Sequence, residues 1–152
     1  MKLTENLSLA EVTKSATAIR MGITNTPSAT HLIALKEVSK NIFQPCREHF
    51  GKPLAVTSGY RSEALNEAIG GSKTSQHSKG EALDLDADVF GGFSNAELFN
   101  YIKDHLDFDQ LIWEFGNNNN PAWVHCSYKT RGNRNEVLIA IKTNNQTTYR
   151  KL

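Results

Sequence analysis

The segment Glu81–Asp86, EALDLD, alternates polar and apolar residues without a break, the period of a strand with only one face in a core. Leu83 and Leu85 then face that core, and Ala82, Asp84 and Asp86 face the other way. The ten residues SQHSKGEALD, Ser75 to Asp84, place His77 in a loop, turn at Gly80 and enter this strand. A chain that doubles back at a glycine brings an imidazole nitrogen and a carboxylate oxygen near one point. Ala82, two positions before Asp84 on the same face, leaves space there.

Capping residues and periodicity order the rest. Ser8 and Glu11 form a capping box that opens a first helix. The stretch Asn25 to Ser28 is turn-like, and Ser28 caps a long helix to about Phe50, with Leu32, Leu35, Val38, Ile42 and Phe43 at helical spacing. Gly51 and Pro53 stop it. Leu54–Thr57 reads as a buried strand, SGYRS as a turn, and Ser62 as the cap of a short helix ending at Gly70 and Gly71. Ser94 and Glu97 form a second capping box, for a helix to about His105. Three strands follow, Asp109–Glu114, Trp123–Ser127 and Val137–Ile141, with the loop Asn117–Asn120 closed by Pro121. Helices come first and strands cluster late, which predicts an α+β fold with a small, mostly antiparallel sheet.

The chain has 152 residues, the size of one domain spanning 1–152 with a real core. Its 17 Lys and Arg oppose 16 Asp and Glu, so it lacks the basic excess of a duplex nucleic-acid binder. No run approaches the roughly 18 apolar residues of a membrane span. The start, with Glu5 and Glu11, has no apolar segment of a secretory signal. A soluble protein made in the cytoplasm, without stable membrane insertion, is expected. Cys46 and Cys126 alone make neither a disulfide framework nor a thiolate zinc cluster.

A third candidate ligand stands in PAWVHCSY, where Trp123, His125 and Ser127 share one strand face. Taken singly, His77 is an ordinary loop residue and His125 an ordinary core histidine. Together with Asp84 they form two imidazoles and a carboxylate with a fourth position open, an arrangement that a catalytic zinc uses. The same residue types describe the facial triad of non-haem iron oxygenases. Those enzymes typically set the first His and the carboxylate two positions apart on one strand, whereas His77 and Asp84 are seven apart with a glycine turn between. Zinc is therefore favoured. His31, His49 and His105 lack partners at ligand spacing and read as structural. Cys126 points to the opposite face from His125, into the core. Trp113 and Trp123 are buried aromatics or walls of a cleft.

Ser-x-His-x-x-Gly-x-Ala-x-Asp followed by Trp-x-His resembles the D-alanyl-D-alanine carboxypeptidase-like zinc peptidases, including phage endolysins and prophage cell-wall peptidases. The blocks LAEVTKSATAIRMGITNTPS, KPLAVTSGYRSEALNEAIGGSKTSQHSKGEALDLD, FDQLIWEFG and WVHCSYKTRGNR are similar to the phage-type branch in the same order and cover most of the chain. The resemblance implies the hedgehog-like peptidase fold: a small antiparallel sheet, helices on one side and a zinc cleft on the other. It makes His77, Asp84 and His125 the ligands of one Zn2+. Arg61, in SGYRS, matches the arginine that contacts substrate and helps hold the oxyanion, a role suited to a fixed guanidinium. Ser75 is placed to hydrogen-bond substrate or orient the ligand loop. Several relatives carry Glu or Asp three residues before the last histidine, where this chain has Ala122. Glu114 is the nearest substitute, if its strand pairs with Trp123–Ser127 across a hairpin. Asp86, on the face of Asp84, is expected to orient a ligand imidazole.

The expected function is a zinc metallopeptidase of peptidoglycan stem peptides, acting on D-Ala-D-Ala as a carboxypeptidase or on L-Ala-D-Glu as an endopeptidase. The alternatives are a zinc-stabilised wall-binding or phage structural module without catalysis, which Ala122 favours, and an iron oxygenase. The expected partner is the stem peptide, met by a monomer that binds no nucleic acid. It acts at the bacterial cell wall after release from the cytoplasm, in phage or prophage lysis.

Overall fold

Five of the six helices start on a serine whose Oγ accepts a backbone N–H, closing one of the donors a helix leaves unpaired. In the computed structural model, which describes residues 1–152, a short hairpin of β1 (Lys2–Thr4) and β2 (Leu7–Ser8) leads into α1 (Leu9–Thr13) and α2 (Ala16–Met21). Ser8 and Glu11 make the expected capping box, as do Ser94 and Glu97. The helical run from Ser28 to Phe50 is not uniform. It comprises α3 (Ala29–Val38), a π-helical turn at Ser39–Phe43 and α4 (Gln44–Phe50). Pro45 explains the change, since its ring clashes with the carbonyl four residues back and it offers no N–H there. The turn widens instead, with Gln44 N–H donating to Ser39 O. Leu35, Val38, Ile42 and Phe43 are fully buried along this run.

The rest of the chain comprises β3 (Ala55–Ser58), α5 (Glu63–Ala68), β4 (Ala82–Asp86), α6 (Asn95–His105), β5 (Gln110–Glu114), β6 (Trp123–Ser127), β7 (Glu136–Thr143) and β8 (Gln146–Lys151). Single 3-10 turns stand at Gln76–Lys79 and Ala87–Val89. The fold is α+β, and its six-stranded sheet runs β3-β4-β6-β5-β7-β8. The sheet is mixed: four neighbouring pairs are antiparallel, while β5 and β7 are parallel. The parallel pair follows from the path of the chain. After β6 the backbone returns to the end where β5 began and passes to its far side. It is pinned there by Asn135 N–H to Phe108 O and Glu136 N–H to Asp109 O.

Sequence periodicity missed β8. Its residues are all exposed, so no apolar alternation marks it. The signal that was there is the turn, because Asn144 and Asn145 have φ of 52° and 63°, the pair of left-handed residues that a tight hairpin needs.

The two sheet faces are chemically unlike. Leu83, Leu85, Leu111, Val124 and Cys126 pack into one core with Leu35, Ile42, Phe43, Leu98, Phe99 and Ile102 from the helices. On the other face Ile112, Leu138 and Ala140 form a small apolar patch, beside Asp84, Glu114 and His125. No helix is long and apolar enough to cross a membrane.

Candidate metal centre

The ligand face is set by register. Asp84 in β4 lies directly opposite His125 in β6, and His125 lies opposite Ile112 in β5. Alternation then puts Glu114 on the same face, diagonal to His125 and paired with Trp123. His77 reaches this face from the loop before β4. Gly80 turns that loop at φ 74°, and a Cβ there would lie 2.5 Å from His31 O, so only glycine fits. The loop is tied to its surroundings by Arg61 N–H to His77 O and by Gln76 Nε2 to Asp109 Oδ2 at 3.0 Å. Asp109 is wholly buried, and Arg134 donates to it through Nε at 3.0 Å and a terminal nitrogen at 2.8 Å.

Asp84 Oδ1 lies 3.3 Å from His77 Nε2 and 3.1 Å from His125 Nδ1, and the three ligand atoms are within 4.8 Å of one another. The edge of a tetrahedron around an ion with bonds of about 2.0–2.1 Å is about 3.3 Å, so both short distances suit a shared cation. The hydrogen bonding adds a chemical argument. His77 Nδ1 is 2.7 Å from Gly59 O. A carbonyl only accepts, so Nδ1 carries the proton and the neutral ring presents a lone pair at Nε2. That lone pair faces a carboxylate oxygen, which is repulsive unless a proton or a metal cation stands between them. The donor set therefore fits a metal ion, with Gly59 as the outer contact that fixes the tautomer. Gly59 is itself fixed by close approach, since a Cβ would fall 2.3 Å from Val12 O.

Burial alone would raise the Asp84 carboxyl, but the imidazoles, His77 first, outweigh it and hold the group well below the usual carboxylate range. Glu114 behaves oppositely. Burial pushes it up to about 7, with His125 opposing and Asp84 adding to the rise. Arg61 donates to Ser75 Oγ at 3.2 Å, while its Nε is buried without a partner. Burial lowers its guanidinium and Asp84 works against that. Ser75 Oγ also accepts from His77 N–H at 3.2 Å, so in this structure it orders the ligand loop.

The expected partner role of Asp86 is not what the structure has. Asp86 Oδ1 accepts from Asn95 Nδ2 at 2.9 Å and from Asp88 N–H at 3.1 Å, and it caps the 3-10 turn after β4. Alternation gives the face of a residue but not its distance along the strand, and Asp86 sits one pleat past the site, opposite Ala55. Trp113 packs edge-on against Phe99 on the helical face, whereas Trp123 meets Phe115 and lines the cleft. Cys46 and Cys126 are buried in the core, and burial pushes both thiols up.

His77, Asp84, His125, Glu114, Arg61 and Ser75 all line one cleft of about 850 Å³. Sequence reasoning did not anticipate Gln76, Phe115, Lys129, Arg134 and Tyr149, which are also among its lining residues. They come from loop ends and from β8, where side-chain direction depends on tertiary pairing. The family model for Peptidase M15 matches residues 5–127, a stretch that contains every ligand candidate as well as Arg61 and Glu114. None of the curated proteins matches the chain.

Proposed function

Because the chain belongs to the Peptidase M15 family, we propose that it is a zinc metallopeptidase cleaving peptide bonds in peptidoglycan stem peptides. The observation that carries the reading is the convergence of His77, Asp84 and His125 within 4.8 Å, beside a buried glutamate in an open cleft. His77 through Nε2, Asp84 through Oδ1 and His125 through Nδ1 would hold one Zn2+. When bound, the ion supplies a Lewis acid and lowers the pKa of its water to about 7. Glu114 takes a proton from the attacking water and returns it to the leaving amine. Glu114 stands on the same sheet face as His125 and lines the same cleft, so its carboxylate is placed for both transfers. Arg61, which lines the cleft, pairs with the developing oxyanion or with a substrate carboxylate. Ser75 holds the ligand loop and Arg61 in a common frame.

The scissile bond on this reading is D-Ala-D-Ala or L-Ala-D-Glu, and the setting is wall lysis by a phage or prophage product. A monomer reaching the wall after release needs no nucleic-acid partner. Ala122, where several relatives have an acid, favours one other reading, a zinc-stabilised module that binds wall or phage components without catalysis. Metal analysis and digestion of purified peptidoglycan, before and after chelation, separate the two. The expected result is one zinc per chain and released peptides that vanish on chelation and return with zinc. Bound zinc with no product under any condition would leave the binding module.

A further inference from the structure

The family match ends at Ser127, yet one wall of the cleft is built after it. Pairing across the sheet puts Trp123, Glu114, Ala140 and Tyr149 in a single row, one from each of β6, β5, β7 and β8. Residues in register point to the same face, so Tyr149 stands on the face of Glu114 and His125 and lines their cleft. The residue between it and Glu114 is Ala140, wholly buried, whose small side chain leaves the ring free to lean toward the glutamate. Arg61 follows β3, at the other edge of the sheet. The candidate ligands, on β6, on β4 and on the loop before β4, therefore lie between Arg61 and Tyr149.

We propose that Tyr149 is a substrate-binding residue that closes the cleft opposite Arg61, its hydroxyl donating a hydrogen bond to a peptide carbonyl beside the scissile bond. The proposal rests on the metallopeptidase reading for the identity of the substrate. More than half of the Tyr149 surface is exposed, so the hydroxyl is open to an incoming group. Burial first, then the charges of Glu114 and Asp84, push the phenol up, which keeps it a donor throughout the neutral range. The hydroxyl itself carries no charge to pair with an anion. A neutral carbonyl is the acceptor that suits Tyr149, while the guanidinium of Arg61 suits an anionic one.

The test uses the zinc-loaded Glu114→Gln protein, which on this reading binds peptide without cleaving it, and a synthetic stem peptide carrying both L-Ala-D-Glu and D-Ala-D-Ala linkages. Calorimetry should show the added Tyr149→Phe change weakening binding about 5- to 10-fold, the value of one neutral hydrogen bond. Tyr149→Ala should weaken it at least as much. Zinc content and thermal midpoint should not move, because the residue is exposed. A Kd within twofold of the parent for Tyr149→Phe would overturn the proposal, whatever Tyr149→Ala does, as would failure of the peptide to bind the parent at all. If the wild-type protein cleaves nothing while Tyr149→Phe still weakens binding, the catalytic reading falls and the role of Tyr149 stands.

Discussion

Glu114→Gln should make the metal-free protein more stable at neutral pH. Glu114 is buried at 7% exposure, and burial raises its carboxyl from 4.5 to about 7. The unfolded chain releases this proton near the lower value and the folded chain near the higher one. Between them the native state binds more protons, so unfolding free energy falls as pH rises through that window. The stability associated with the neutral carboxyl is present below pH 4.5 and is lost by the time pH passes 7. The shift of about 2.5 units corresponds to about 3 kcal/mol at 1.36 kcal/mol per unit. Glutamine keeps the shape and cannot ionise, so the variant should not pay this penalty. Urea denaturation of chelator-treated wild type and variant, from pH 4 to 8, should give curves that diverge steadily above pH 4.5. At pH 7.5 the variant should be ahead by about 3 kcal/mol, or about 6–12 °C in thermal midpoint. Superimposable curves would refute the argument, because they would mean that Glu114 ionises in the cleft as freely as in water.

Gly80→Ala should destabilise by about 2–4 kcal/mol, since it combines a left-handed backbone with backbone overlap at His31 O. Because this turn joins His77 to Asp84, zinc titration should weaken in parallel, and a variant with unchanged melting and metal affinity would contradict the account. Asp109→Asn should cost about 1–3 kcal/mol by weakening the hold on Arg134 and Gln76. Burial raises the Asp109 carboxyl, but the Arg134 hydrogen bonds outweigh it and lower it overall. Its contribution is therefore present above the ordinary carboxylate pKa and lost on acidification, so the difference between wild type and variant should shrink toward pH 3.

The nearness of His77 to Asp84 was legible because its information is local, whereas His125, 41 residues further on, was legible only as a residue of the Trp123–Ser127 strand face. His77, Gly80, Ala82 and Asp84 lie within eight residues, and strand alternation fixes their faces without knowledge of the fold. The serine caps were legible for the same reason, each being a side chain answering its own helix. What escaped depends on distant partners. Asp86 has the right face and the wrong pleat, and its true partner, Asn95, is reached only after the chain turns back. The parallel placement of β7 against β5 leaves no periodic mark. β8 carries Gln146, Thr147, Thr148, Tyr149, Arg150 and Lys151, none of them buried, and only the Asn144–Asn145 turn announces it. The interruption at Ser39–Phe43 was equally hidden, although Pro45 marks its cause.

The β7–β8 hairpin joins the sheet through β5 alone and carries no candidate ligand for an ion. The candidate ligands and Glu114 thus sit in one continuous stretch of chain, and one wall of the cleft sits in another. Lengthening, shortening or exchanging that ribbon would change which molecules fit between the walls without rebuilding the chemistry. The shape of the cleft in such a molecule can drift quickly while the candidate ligands stay put.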